Sequence, residues 1–223
     1  MPTLTGAVRS GLLMLPPVHQ IMRESSRNAL IGALTLVAAV SFTYLLLSVK
    51  ADSNKLNAGI VFYTRGSGGV QFLLADHTQS NRGWAAFSGR QDGAETPAET
   101  AARETEEETH GYFSRATLLK RIQNQRPFTI GRYHLYFLQI DRVPAERIMG
   151  HRVPGWVESY TERGPYAWIP ASEVIRALAT GSKKTKDLLI NPRYLPTGTK
   201  NPHFWDEWIE NLRAAQQAGV LPK

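Results

Sequence analysis

The stretch Thr96-Pro97-Ala98-Glu99 starts a helix, and the residues after it dictate how that helix packs. Thr96 serves as N-cap, Pro97 takes the first helical position where a missing N–H is no loss, and Glu99 completes a capping box. Ala98, Ala101, Ala102 and Thr105 then fall on one face at helical spacing. Side chains this small let the helix lie close against a sheet. The other side carries Glu104, Glu107 and Glu108 at i, i+3 and i+4, where side chains are neighbours. The chain must therefore build around a helix with one dry, narrow face and one acidic face.

That acidic face is unfavourable by itself. Like charges at this spacing repel by a few tenths of a kcal/mol per pair when exposed. The helix C-terminus is the negative end of the dipole and opposes each carboxylate there by roughly 0.3–1 kcal/mol. Arg103 offsets part of this with Glu107 or Glu99, four residues away on either side. A hard divalent cation, Mg²⁺ or Mn²⁺, would reverse the sign of the problem, because carboxylate oxygens are its preferred ligands. Asp92 to Glu108 holds seven acids and one base, in a chain whose net charge is +7. A small negative focus in a basic body suits a site that holds a cation and receives a polyanion, although basic residues also simply keep a surface soluble. With no cysteine, disulfides, thiolate metal sites and cysteine nucleophiles are excluded.

Around the helix the pattern alternates between strand and helix. NAGIVFYTR (57–65) reads as a strand, Gly66-Ser67-Gly68-Gly69 as a turn and VQFLLAD (70–76) as the returning strand of a hairpin. HTQSNRG (77–83) is a loop, and Trp84 to Phe87 a short strand. ATLLKRIQ (116–123) and YHLYFLQID (133–141) are expected to be two further strands. A Pro/Gly-bearing connection leads to the strand YAWIP (166–170) and a short helix from Ala171. HFWDEWIENLRAAQQAG (203–219) closes the chain as an amphipathic helix, with Phe204, Trp205, Trp208, Ile209 and Leu212 on the face that packs against the domain. Strands before and after a central helix give the fold class α/β, a mixed sandwich. Lys183, Lys184 and Lys186 read as a solvated charge cluster, with an RNA or anionic-lipid contact as the alternative.

Residues 29–49 contain no charge over 21 positions, enough for a helix of roughly 30 Å that spans a bilayer core. They are expected to form a single membrane anchor between a loose tail (1–28) and a domain over 51–223. A cleaved signal peptide is the alternative, because Val49-Lys50-Ala51 resembles a small-residue cleavage site. With Arg23 and Arg27 before the run and Lys50 and Lys55 after it, the charge bias leaves orientation open.

The spacing upstream of the acidic helix carries a resemblance. Gly89 stands six before Glu95, Glu95 eight before Arg103, and Arg103-Glu104-x-x-Glu107-Glu108 completes the run. This resembles the Nudix box: glycine, five residues, glutamate, seven residues, then Arg-Glu-hydrophobic-x-Glu-Glu-x-Gly. Three positions depart from it. The terminal glycine comes one residue late, as Gly111, which predicts a helix stop shifted by one; Thr105 fills the hydrophobic slot; and Ser88 stands where the family often has a first glycine. The likeness extends over roughly residues 56–180.

The resemblance implies an α/β/α sandwich with a mixed sheet that hydrolyses a diphosphate linkage in a nucleoside diphosphate derivative. A nucleotide, a dinucleoside polyphosphate, a nucleotide sugar or an RNA 5′ end would each qualify as substrate. By position, Glu104, Glu107 and Glu108 would hold the divalent metal, with the Ser88 carbonyl as a backbone ligand. Arg103 and Glu95 would pair to orient the helix and its loop. The general base would be Glu104 or Glu162, the latter in a loop that also bears Glu158 and Arg163. His110 is expected to be a loop residue, not a metal ligand. The alternative function is a Nudix-like binding or regulatory module without activity, a reading that missing box carboxylates would favour; all three are present.

Overall fold

The computed structural model describes residues 55–155 and 162–222. The tail, the apolar run at 29–49, the Val49-Lys50-Ala51 site and Glu158 lie outside the described residues. Among those described, no helix is long and apolar enough to cross a membrane.

β1 (Asn57–Gly66) and β2 (Gly69–Asp76) form the expected hairpin, with Gly66 opposite Gly69 at the turn. The strands then part. β2 pairs with β1 only from Tyr63 to Gly66, and the wedge beside Asn57–Ile60 takes the next piece of chain. This piece is two strands and not the single one expected from Trp84 to Phe87. β3 (Trp84–Ala85) pairs with β2, and beyond Ala86 β4 (Phe87–Arg90) pairs with β1. A segment lying between diverging neighbours cannot keep one continuous ladder with either. β4 thereby delivers Ser88, Gly89 and Arg90 to the mouth of the wedge.

The other edge of β1 is covered by β6 (Tyr133–Gln139), which runs parallel to it from Asn57 opposite Tyr133 to Tyr63 opposite Gln139. β5 (Phe128–Ile130), which the sequence pattern did not reveal, folds back on β6, and β7 (Tyr166–Pro170) pairs antiparallel with β2. The sheet is mixed, as expected.

α1 (Pro97–Glu108) is the acidic helix, and its buried residues include Ala98, Ala101, Ala102 and Thr105. The segment expected as a strand at 116–123 is instead helix α2 (Arg115–Ile122). Its two buried residues, Leu118 and Ile122, stand four apart, the period of a helix face and not of a strand. Lys120 and Arg121 in its last turn suit the negative end of the dipole. The connection after β6 contains a short helix, α3 (Ala145–Met149). α4 (Ala171–Ala179) comes after β7, and α5 (Asp206–Gln217) is the C-terminal amphipathic helix.

Alternation along the strands divides the core into two layers. Ile60, Phe62 and Leu73 pack with Ala98, Ala101 and Ala102 of α1 and Leu118 of α2. Val61, Phe72 and Leu74 point the opposite way, onto Val174 of α4 and Trp208, Ile209 and Leu212 of α5. Each such large side chain, fully buried, contributes about 1.5–3 kcal/mol. The result is an α/β/α sandwich. One aromatic departs from the expected face: Trp205 precedes the helix at its N-cap position and is only partly buried, while Phe204 and Trp208 enter the core.

Candidate active site

The local order of α1 comes from its two ends. At the start, the Thr96 hydroxyl accepts from the Glu99 N–H, and the Thr96 N–H donates to the Glu99 carboxylate at 2.7 Å. At the finish, the Gly111 N–H donates to the Glu106 carbonyl at 2.7 Å and the His110 N–H to the Glu107 carbonyl at 3.2 Å. That bond pair is a Schellman motif, and it needs a left-handed residue after the C-cap Thr109. His110 supplies it, with φ of 57°. The helix stop is therefore not shifted by one residue, as the late Gly111 suggested. His110 sits where the box has its glycine and adopts the glycine's backbone angle, which histidine tolerates better than most residues do. It is 3% exposed, its Nε2 lies 3.1 Å from the Arg163 carbonyl, and its ring meets Tyr166 edge-on.

Arg103 ties the helix to the loop before it. Its Nε is 3.0 Å from Glu95 Oε1, and one terminal nitrogen reaches the Arg90 carbonyl at 2.8 Å. The other approaches Glu104 at 2.9 Å and Glu107 at 3.3 Å. Glu99 is occupied by the capping box, so Arg103 turns to Glu95, Glu104 and Glu107. Burial opposes the Glu95 charge, but Arg103 together with the Asp92 N–H outweighs it and holds that carboxyl below its usual range. Arg115 adds a second cation at 3.1 Å.

The three box carboxylates behave in the opposite way. Burial pushes Glu104 up to about 7, with Glu108 and Glu107 adding to the rise and Arg103 opposing it. Burial likewise raises Glu107, helped by the charge of Glu162, and raises Glu108, which is 5% exposed. Gly89 stands hard against Glu104: a Cβ there would overlap its carboxylate. Glu108 accepts the Ser88 N–H at 2.9 Å, which sets the Ser88 backbone beside that carboxylate. Tyr133 lies beside Ser88, and burial drives its hydroxyl up to about 12.

Arg163 organises the other side of Glu108, whereas the sequence marked it only as a loop neighbour of Glu162. It is 2% exposed. One terminal nitrogen donates to Glu108 Oε1 at 2.9 Å and to His77 Nε2 at 3.1 Å. The other donates to the carbonyls of Ala75 and Ala85 at 2.7 and 2.8 Å. The end of β2 and the β3 edge thus form a carbonyl socket for one guanidinium. No local pattern marks this role, because the socket is assembled from residues about 80 positions away.

Glu104, Glu107, Glu108 and Glu162 line one cavity of about 800 Å³, together with Ser88 and Gly89. Among the described residues, no three acidic or histidine side chains are already gathered around a common point as a metal-holding group. Glu104 and Glu107 turn to Arg103, and Glu108 turns to Arg163. The donor set nevertheless fits Mg²⁺ or Mn²⁺: its side chains are hard oxygen donors, and carboxylates raised by burial first and by neighbouring carboxylates second want a further cation.

The sequence model of the NUDIX domain matches residues 53–189, more than half of the chain. The chain belongs to the NUDIX family. Membership in this family gives the coarse activity, hydrolysis of nucleoside diphosphate derivatives. Among solved structures, the Nudix hydrolase RenU from M. smegmatis is 16% identical, over 75% of this chain and 88% of that one, with a TM-score of 0.40. A mutT/nudix family protein from Listeria innocua is 18% identical over 74% and 94%, at 0.36. A C. elegans Ap4A hydrolase is 23% identical over 39% and 68%, at 0.29. Likeness at this level adds nothing to the family match. A comparison with curated proteins gives no match.

Proposed function

We propose that this NUDIX domain hydrolyses the diphosphate linkage of a nucleoside diphosphate derivative in a reaction that depends on Mg²⁺ or Mn²⁺. The observation that carries this reading is the convergence of Glu104, Glu107, Glu108 and Glu162 on one cavity, with Arg103 and Arg163 behind them. Glu104, Glu107 and Glu108 would hold the metal beside the Ser88 carbonyl. When bound, such an ion neutralises diphosphate oxygens and lowers the pKa of a coordinated water.

The chain's own groups account for the rest. Arg103, paired with Glu95, fixes the loop 90–95 to the helix and so holds Glu104 and Glu107 in place. Water adds to phosphorus, the bridging P–O bond breaks, and the water's proton passes to a carboxylate. Glu162 and Glu104 are the two candidates. Both line the cavity; Glu162 is exposed to it, whereas Glu104 is held by Arg103 and walled in by Gly89. E162Q and E104Q, compared by pH–rate profile, separate them, because only loss of the base removes the acidic-limb ionisation, the rise in rate as that carboxyl loses its proton.

The test is an assay of the full-length chain in detergent on a panel of nucleoside triphosphates, dinucleoside polyphosphates, nucleotide sugars and capped RNA. It is run with Mg²⁺, with Mn²⁺ and with chelator, beside an E107Q/E108Q variant. Metal-dependent release of a phosphate or nucleotide product, lost in that variant, is the expected outcome. Folded protein that binds metal but turns over none of the panel would count against the reading.

We further propose, on the uncharged run at 29–49, that this domain is tethered as a single-pass membrane protein, with 51–223 as the catalytic unit. Retention in the membrane fraction after carbonate extraction is the expected result. A soluble product whose N-terminus lies near Ala51 would point to a cleaved signal instead.

A further inference from the structure

The cavity has a second wall that the box does not supply. Trp205, Glu207, Glu210 and Asn211 line it, and all four lie beyond residue 189, where the family match ends. Trp205 is set by the sheet. Its backbone N–H donates to the Trp84 carbonyl at 2.9 Å, and the Trp84 N–H donates to the His203 carbonyl at 2.8 Å. This fixes its backbone at the β3 edge, at the rim of the cavity that Glu104 and Glu108 also line.

The surroundings of the indole are those of a stacking surface. The His77 ring packs against it edge-on, with centroids 5.0 Å apart. His77 is itself held, its Nδ1 2.8 Å from the Gly83 carbonyl and its Nε2 accepting from Arg163. Arg82 lays its guanidinium over the ring, with Cζ 5.2 Å from the centroid, and is exposed. A face covered by one exposed, planar cation is a face that a planar aromatic ring can take, with the guanidinium stacking above it or turning to a phosphate. Glu207 and Asn211 stand one turn apart on α5, where N–H and hydroxyl groups of a nucleoside would find partners. A volume of about 800 Å³ accommodates a nucleotide.

We propose that Trp205 is the platform on which the substrate's nucleobase stacks, so that the segment after the family-matched region selects nucleoside over base-free diphosphates. This rests on the reading of the same cavity as a diphosphate hydrolase site, and names the part of the substrate that the box leaves unspecified. Stacking surfaces tolerate any base, so the preference separates nucleotide from non-nucleotide more sharply than one base from another.

The experiment is a calorimetric titration of the full chain in detergent with Mg²⁺. Methylene-bridged nucleoside diphosphate analogues carrying each of the four bases are compared with base-free methylenediphosphonate. Two variants accompany the wild type: W205L keeps an apolar side chain without a π face, and W205F restores one. W205L is expected to weaken the four analogues about 5- to 100-fold and to leave methylenediphosphonate within about twofold. W205F should recover most of the nucleotide affinity. In turnover, the loss should appear in KM while kcat changes little. Equal weakening of both ligand classes, or unaltered nucleotide binding in W205L, overturns the proposal, as does a wild type that binds neither ligand. Trp205-dependent nucleotide binding without any hydrolysis would leave the platform standing and remove the hydrolase. Hydrolysis of base-free polyphosphates as good as that of nucleotides would do the reverse.

Discussion

The two ends of helix α1 are built on opposite terms. At the start, Thr96, Pro97 and Glu99 satisfy every local preference a helix has, within four consecutive residues. At the finish, Glu104, Glu107 and Glu108 sit against the dipole and one another, with no basic residue in the last turn. The start is held by itself. The finish is held partly by the helix's own Arg103, which is anchored outside the helix through Glu95, and from elsewhere by Arg163 in its socket of strand-edge carbonyls. A helix end that violates its own preferences is a place where tertiary structure has to supply the cations, and such places are where function concentrates.

The largest test of this contrast is Arg163→Ala. It leaves the buried Glu108 carboxylate without its cation and should destabilise the domain by about 3–5 kcal/mol. At roughly 2–4 °C per kcal/mol for a domain of this size, calorimetry should show Tm falling by on the order of 10 °C. Adding E108Q to R163A should recover part of the loss, and strictly additive effects would disconnect the two residues.

Gly89→Ala comes next. Its methyl group must displace the Glu104 carboxylate, so kcat is expected to fall about 10- to 100-fold, or ~1.4–2.8 kcal/mol, while Tm changes little. Unaltered turnover would show that the close approach of Gly89 is incidental.

At the self-sufficient end, Thr96→Ala should cost about 1 kcal/mol in chemical denaturation and leave KM unchanged. A loss of activity beyond what unfolding explains would blur the distinction between the two ends.

An effect of similar size, visible only as pH falls, is expected from His77, which Arg163 uses as an acceptor. Burial, with the charge of Arg163 next, lowers it from 6.5 to about 3, so the folded state keeps it neutral. As pH falls below 6.5 the unfolded chain takes up a proton that the folded chain refuses, so its stabilising contribution, present above that pH, declines toward pH 3. Wild type should lose about 1 kcal/mol more than H77Q between pH 7 and 5.5 in matched denaturation curves. Parallel curves would place a proton on His77 in the folded state.

Legibility in the sequence divides along the same line. The hairpin, the cap at Thr96, the alanine face and the Arg103–Glu95 pairing distance are all encoded within a few residues or in a fixed spacing. The error at 116–123 arose because Leu118, Leu119 and Ile122 admit either period in so short a run, and packing against the sheet chose the helix. The break at Ala86 could not be seen either, since it depends on how far β1 and β2 diverge. Arg163 and Trp205 acquire their places from partners as distant as Ala75 and Trp84. A site assembled by topology leaves no mark on the order of residues around it.

The helix exit at His110 bears on how such chains are found. A pattern demanding glycine at that place asks for a residue type, while the fold asks only for a torsion angle, and here histidine meets the angle at φ of 57°. A strict pattern with glycine at that place fails on this chain, although the family's sequence model matches residues 53–189. A pattern that scores the turn, or that lets any residue tolerant of left-handed backbone stand there, would enlarge the set of domains to which this acidic helix can be assigned.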